Sequence, residues 1–136
     1  MNFEDARAAI ATRLDAGMTA TYPAVPVVYE NHTKVDLATQ TAPYVRCDVV
    51  FNDGEQASIE LTPLARYRGA TYLAVYAKEG QGTKAVLQIL AYLAGLFKSV
   101  KFSGVQSQVA VPMPGAEKDG WYYVAIRIPF WFDDLP

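Results

Sequence analysis

Histidine and cysteine are almost absent: His32 and Cys47 are the only examples among 136 residues. Zinc sites draw repeatedly on these two side chains, and a hydrolytic triad needs an oriented histidine. With His32 in a polar loop and Cys47 in an alternating segment, neither chemistry is expected. One cysteine makes no intramolecular disulfide, and its neighbours place it in a strand as a small buried hydrophobe rather than a reactive thiol. A reducing compartment is therefore expected. The chain also lacks a charge excess. Twelve Lys and Arg stand against fourteen Asp and Glu, a net charge of -2 with a pI near 5.3, which argues against partners chosen for bulk negative charge, such as nucleic acid or an anionic membrane. A long apolar run is missing too: the uncharged stretch between Lys84 and Lys98 falls well short of the ~20 residues a bilayer span needs. No charged-then-apolar leader opens the chain, so secretion is not expected. Without an internal repeat, low-complexity tract or linker, residues 1–136 read as one domain, long enough to bury a core without staples.

What is present is a hydrophobic share of 51%, arranged in two helical and several strand-like patterns. The most apolar segment, Thr83 to Phe97, carries Val86, Leu90, Leu93 and Phe97 at helical spacing. Leu87, Ile89, Ala94 and Leu96 widen that stripe until only Gln88 and Tyr92 look polar, which predicts a buried helix. A first helix starts at an Asn2 cap with Glu4 and Asp5 at the positive end of its dipole, stops at Gly17, and presents Phe3, Ala6, Ile10 and Leu14. Between the helices, Val27 to Tyr29 predicts a short edge strand after Pro26. Asn31 to Pro43 predicts a long loop, of the kind that in a small domain is functional or mobile. Tyr44 to Phe51 alternates as a strand; Asn52-Asp53-Gly54-Glu55 reads as a turn, with Ala57, Ile59 and Leu61 returning as the second arm of a hairpin.

Thr62 to Gly69 then reads as a basic connection and Ala70 to Lys78 as a strand apolar on both faces. After the second helix, Lys98 to Gly104 is a link, Val105 to Pro112 a strand, and Met113 to Gly120 a turn-rich loop. The last strand, Trp121 to Asp133, puts Tyr122, Val124, Ile126, Ile128, Phe130 and Phe132 on one face, and Trp121, Tyr123, Arg127, Trp131 and Asp133 on the other. The sum is an α+β domain: a mostly antiparallel sheet flanked by two main helices.

Candidate sites are few. Gly80-x-Gly82-Thr83-Lys84 sits where phosphate loops sit, but Thr precedes Lys and position 77 is Ala77, so the spacing fails; Thr83 as a helix cap explains the segment. Asp133-Asp134 could pair as acid and base, although terminal acids are usually solvated. Arg66-Tyr67-Arg68 is too small a basic field for a nucleic-acid strand and suits a protein interface, where Arg and Tyr are enriched. Trp121, Tyr123 and Trp131 form an interaction surface if exposed, and core if covered. No catalytic, cofactor or metal residues emerge, so the chain is expected not to be an enzyme.

Arg66-Tyr67-Arg68-Gly69 before a strand, Glu79-Gly80-Gln81-Gly82 opening a helix that ends Leu96-Phe97, then Pro112 and Gly120-Trp121 leading into Pro129-Phe130-Trp131-Phe132, together resemble the tail terminator proteins of long-tailed bacteriophages and prophages. The resemblance covers most of the chain and implies a structural, non-catalytic virion protein assembled in the bacterial host cytoplasm. Its subunits would form a homo-oligomer, a hexameric ring that caps the tail tube protein, ends tube polymerisation and offers the head-completion proteins a docking surface. Neither cofactor nor membrane is implied. The interface residues chosen on chemistry are Arg66, Tyr67, Arg68, Trp121, Tyr123 and Trp131. Another head-to-tail connector, or a small ligand-binding domain, is the alternative; assembly on tail tubes rather than capsid portals separates the first, and a concave pocket with converging polar groups would mark the second.

Overall fold

The computed structural model describes residues 1–30, 43–59, 64–80, 82–118 and 120–134. Helix α1 (Phe3–Thr21) begins as the sequence predicts. The Asn2 side chain accepts from the Asp5 N–H at 2.8 Å, and the Asp5 carboxylate accepts from the Asn2 N–H at 2.9 Å, a reciprocal capping box. It does not stop at Gly17. That residue is buried against helix α2 (Lys84–Leu96), where a Cβ would stand 2.6 Å from a Leu96 methyl. Gly17 is therefore a close-packing position, and the helix ends a turn later.

Strands β1 (Val27–Tyr29), β2 (Tyr44–Gln56), β3 (Ala65–Lys78), β4 (Lys101–Phe102), β5 (Val105–Ser107), β6 (Val111–Lys118) and β7 (Trp121–Asp134) form one sheet in the order β1-β2-β3-β7-β5-β4, with β6 also on β7. All pairs are antiparallel except β1 with β2. The edge position expected for Val27–Tyr29 is observed.

The first hairpin differs from expectation. Strand β2 runs straight through Asn52-Asp53-Gly54-Glu55, with a register shift between Phe51 and Asp53, and pairs with Ala65–Arg68, so the supposed basic connection is the start of β3. Gly54 serves there as a missing side chain rather than as a turn residue: a Cβ would lie 2.5 Å from the Tyr67 ring. Ala57 to Ile59 is not strand, and Leu61 lies outside the described residues.

The second half also departs. The link Lys98 to Gly104 holds β4, closed on β5 by a Ser103-Gly104 turn in which both residues have positive φ, the geometry that suits a two-residue hairpin. Met113 to Gly120, expected as a loop, is mostly β6. Pro112 and Pro114 read as breaks in the sequence, but an edge strand tolerates proline.

The core lies between the sheet and both helices. Ala6, Ile10, Leu14 and Met18 of α1 meet Val86, Ile89, Leu93 and then Phe97 at the end of α2, over Val45, Cys47, Leu73, Val75, Val124, Ile126 and Ile128. Both helices thus cover one face of the sheet. The α2 helix is less enclosed than its composition predicts, for Leu87 is 49% exposed. Arg13 from α1 ties down the end of α2, its Nε and Nη2 donating to the Leu96 carbonyl at 2.9 and 2.7 Å.

Candidate protein interface

Alternation along three long strands builds the face that carries no helix. Cross-strand partners share a face, so the registers set Arg68 beside Trp131, Arg66 beside Asp133, Tyr76 beside Tyr44 and Tyr123, Tyr72 beside Asp48 and Arg127, and Lys78 beside Trp121.

At one end, the Arg66 guanidinium donates through Nε and Nη2 to both Asp133 oxygens at 2.8 and 3.0 Å, and lies 4.1 Å over the Trp131 ring. This bidentate pairing holds the Asp133 carboxyl below the usual carboxylate range and raises Arg66. Arg68, whose side chain is 45% exposed, donates to Glu55 and lies 3.6 Å from Asp53. Asp133 is thus one partner of an arginine, and the paired-acid reading of Asp133-Asp134 finds no support in this arrangement.

At the other end the aromatics gather. Tyr44 stacks on Tyr76 at 4.7 Å with the rings 2° apart, Tyr76 lies 5.1 Å from Tyr123, and Trp121 meets the Tyr44 edge at 5.1 Å under Lys78 at 4.6 Å. Trp121 is only 3% exposed, with Tyr44 and Lys78 packed against its ring. Between the two ends, two low pairs, Ala70 with Pro129 and Ala74 with Ala125, lie on either side of Tyr72 and Arg127, near exposed Val50, Val111 and Met113.

The structure therefore brings Arg66, Arg68 and Trp131 together, and Trp121 with Tyr123 at the opposite end of the same face. Tyr67 is on the other face, against Phe3 at 4.7 Å and Phe132 at 5.6 Å. Sequence reasoning missed Tyr44, Tyr72 and Tyr76, because their partners are set by a register that only the assembled sheet defines. The exposed Val111 and Met113 were hidden by reading their segment as ending at Pro112. Cys47 is buried, and burial pushes its thiol up to about 12. Among the described residues no His, Cys, Asp and Glu cluster could hold a metal ion, and no helix is long and apolar enough to cross a membrane. His32 and the segment 31–42 lie outside the described residues.

A family model described as phage tail terminator protein matches residues 5–130. The chain belongs to that family. As a terminator family member it is a structural component of the phage tail. A solved structure 23% identical superimposes with a TM-score of 0.74, covering 100% of this chain and 99% of the other; at that identity the likeness concerns the fold, and it supports the α+β assignment. No curated protein matches the sequence.

Proposed function

We propose that copies of this protein close into a ring, six-membered on the family resemblance, that caps the finished tail tube, ends its polymerisation and gives head-completion proteins their docking surface. Assembly would take place in the host cytoplasm, without catalysis or a cofactor. The observation that carries the reading is the family match over residues 5–130. A closed ring needs a heterologous interface, in which one patch meets a different patch on the neighbour. The helix-free sheet face supports such a use: Arg68 and Trp131 stand at one end of it with the low pair Ala70 and Pro129 beside them. Arg66 and Tyr123 share that face, whereas Tyr67 would contribute from the helix side and Trp121 chiefly by supporting its neighbours.

The test is the mass of the purified protein by light scattering across concentration, with imaging of large species and addition of isolated tail tubes. A six-fold ring, free or formed on tubes, supports the reading. A monomer that never assembles, even with tubes, overturns it, and assembly on capsid portals alone would make the protein another connector.

A further inference from the structure

A sheet that ends in solvent leaves main-chain groups unpaired, and proteins blunt such edges with short strands, prolines or charge. Most of this sheet's edges are blunted. Strand β1 has three residues and follows Pro26, β4 has two, and β6 carries Pro112 and Pro114, which have no N–H to give. The outer edge of β2 is different. Beside β1 it is covered as far as Cys47, the Glu30 N–H donating to the Cys47 carbonyl at 3.3 Å and the Glu30 carboxylate accepting from the Val49 N–H at 3.2 Å. From Val50 to Gln56 no strand pairs with that side among the described residues. The stretch has no proline, and each of its residues is exposed.

The direction of its free groups follows from its two ends. The Val49 N–H points outward to Glu30, whereas the Ala57 N–H points inward to the Leu64 carbonyl at 2.7 Å. Alternation from both ends turns the main-chain groups of Phe51, Gly54 and Gln56 outward, and the register shift between Phe51 and Asp53 absorbs the odd residue. On the helix-free face this edge shows Asp53 and Glu55, 64% and 51% exposed. On the helix face, Phe51 is exposed beside Phe3. Next to them lies a groove of about 470 Å³ lined by Gly54, Glu55, Gln56, Leu64, Ala65 and Tyr67.

We infer that this edge is a docking site for an extended strand of a different polypeptide, one with basic residues on one face and apolar residues on the other. The outward main-chain groups call for a β-strand. Asp53 and Glu55 share the single cation of Arg68, so the edge keeps one uncompensated negative charge that favours Lys or Arg beside it, and the groove with Phe51 takes an apolar side chain. A second copy is a poor occupant. Antiparallel self-pairing about Asp53 sets that carboxylate against itself, in-register parallel pairing opposes both acids to themselves, and the other edges of a copy are blunted. The inference stands whether or not the protein forms a ring.

The probe is an end-blocked peptide of about ten residues alternating lysine and valine, with an alternating glutamate and valine peptide as control, read by amide hydrogen exchange. The lysine peptide should slow exchange at Phe51, Gly54 and Gln56 by about tenfold, while the glutamate peptide should not. In Gln56→Pro, which removes one outward donor and leaves the Ala57 bond, protection should fall severalfold. Absent protection with millimolar lysine peptide, equal protection by both peptides, or protection centred on β6 would overturn the inference. So would concentration-dependent protection of the same amides without peptide, because a second copy would then occupy the edge. Should Gln56→Pro fail to fold, the two peptides on the unaltered chain still decide. Ring formation is read separately by mass, so failure of the terminator reading leaves a distinct signature.

Discussion

Asp133 accepts both hydrogen bonds of Arg66 while Arg66 covers Trp131, so one side chain fixes the geometry of three. Its lowered pKa makes the pair a stabilising contact above the unfolded value of about pH 4, lost as pH falls through the lower folded value. Asp133→Asn should therefore lose less stability than the parent as pH falls below about 4, measured by denaturant unfolding at each pH. An equal acid response in both proteins would remove the pair from the account. Cys47 yields a second expectation, since it is 1% exposed and its thiol is pushed up to about 12. A colorimetric thiol reagent at about pH 8 should leave the native protein unlabelled over minutes, then react with one thiol per chain once it is unfolded. Rapid native labelling would show that β2 opens locally.

Individual elements depend on a few positions where a side chain has no room. At Gly69, in the centre of β3, a Cβ would lie 2.2 Å from the Val50 carbonyl oxygen and 2.8 Å from the Phe130 ring. Backbone cannot move aside as a rotamer can, so Gly69→Ala should destabilise by about 2 kcal/mol or more and loosen the β2–β3 ladder. Wild-type stability in this variant would contradict the observed register. Gly17→Val tests the contact between helices. Its branched side chain meets Leu96, whose tip can shift, and the Tyr92 hydroxyl that donates to the Gly17 carbonyl at 2.8 Å. The expected cost is about 1–3 kcal/mol, read as a shift in denaturation midpoint. Helix propensity works in the opposite direction at this site, so a gain in stability would mean that α1 and α2 separate easily.

At the scale of the whole molecule, the two tryptophans on the helix-free face should behave differently. Trp131 is half-buried beside exposed Arg68, whereas Trp121 is 3% exposed under Lys78 and Tyr44. Trp131→Ala and Arg68→Glu are expected to impair assembly and leave the monomer folded, as checked by mass, tube capping and circular dichroism. Trp121→Ala should instead cost about 3 kcal/mol of monomer stability. Unchanged oligomerisation and tube capping in both of the first two variants would remove the proposed interface. The sheet sets up this division: helices occupy one face, and on the other Arg68 is exposed and Trp131 half-buried while Trp121 and Tyr44 are buried.

Local chemistry was legible from the sequence wherever neighbours along the chain decide the outcome. The Asn2 cap, the edge strand after Pro26, the α+β class and the buried stripe from Val124 to Phe132 all follow from short-range patterns. So did the placement of Trp131 opposite that stripe, and the motifs that resemble the tail terminators. Tertiary structure alone decided whatever depends on residues distant in sequence. Gly54 and Gly17 looked like a turn and a stop because glycine often serves those ends; here Tyr67 and Leu96 occupy the space that a side chain would need. The clustering of Tyr44, Tyr76 and Tyr123, and the separation of Tyr67 from its arginine neighbours, come from strand register and the twofold alternation of a pleated sheet. A strand pattern specifies which residues share a face, but the order in which strands meet determines what that face can bind.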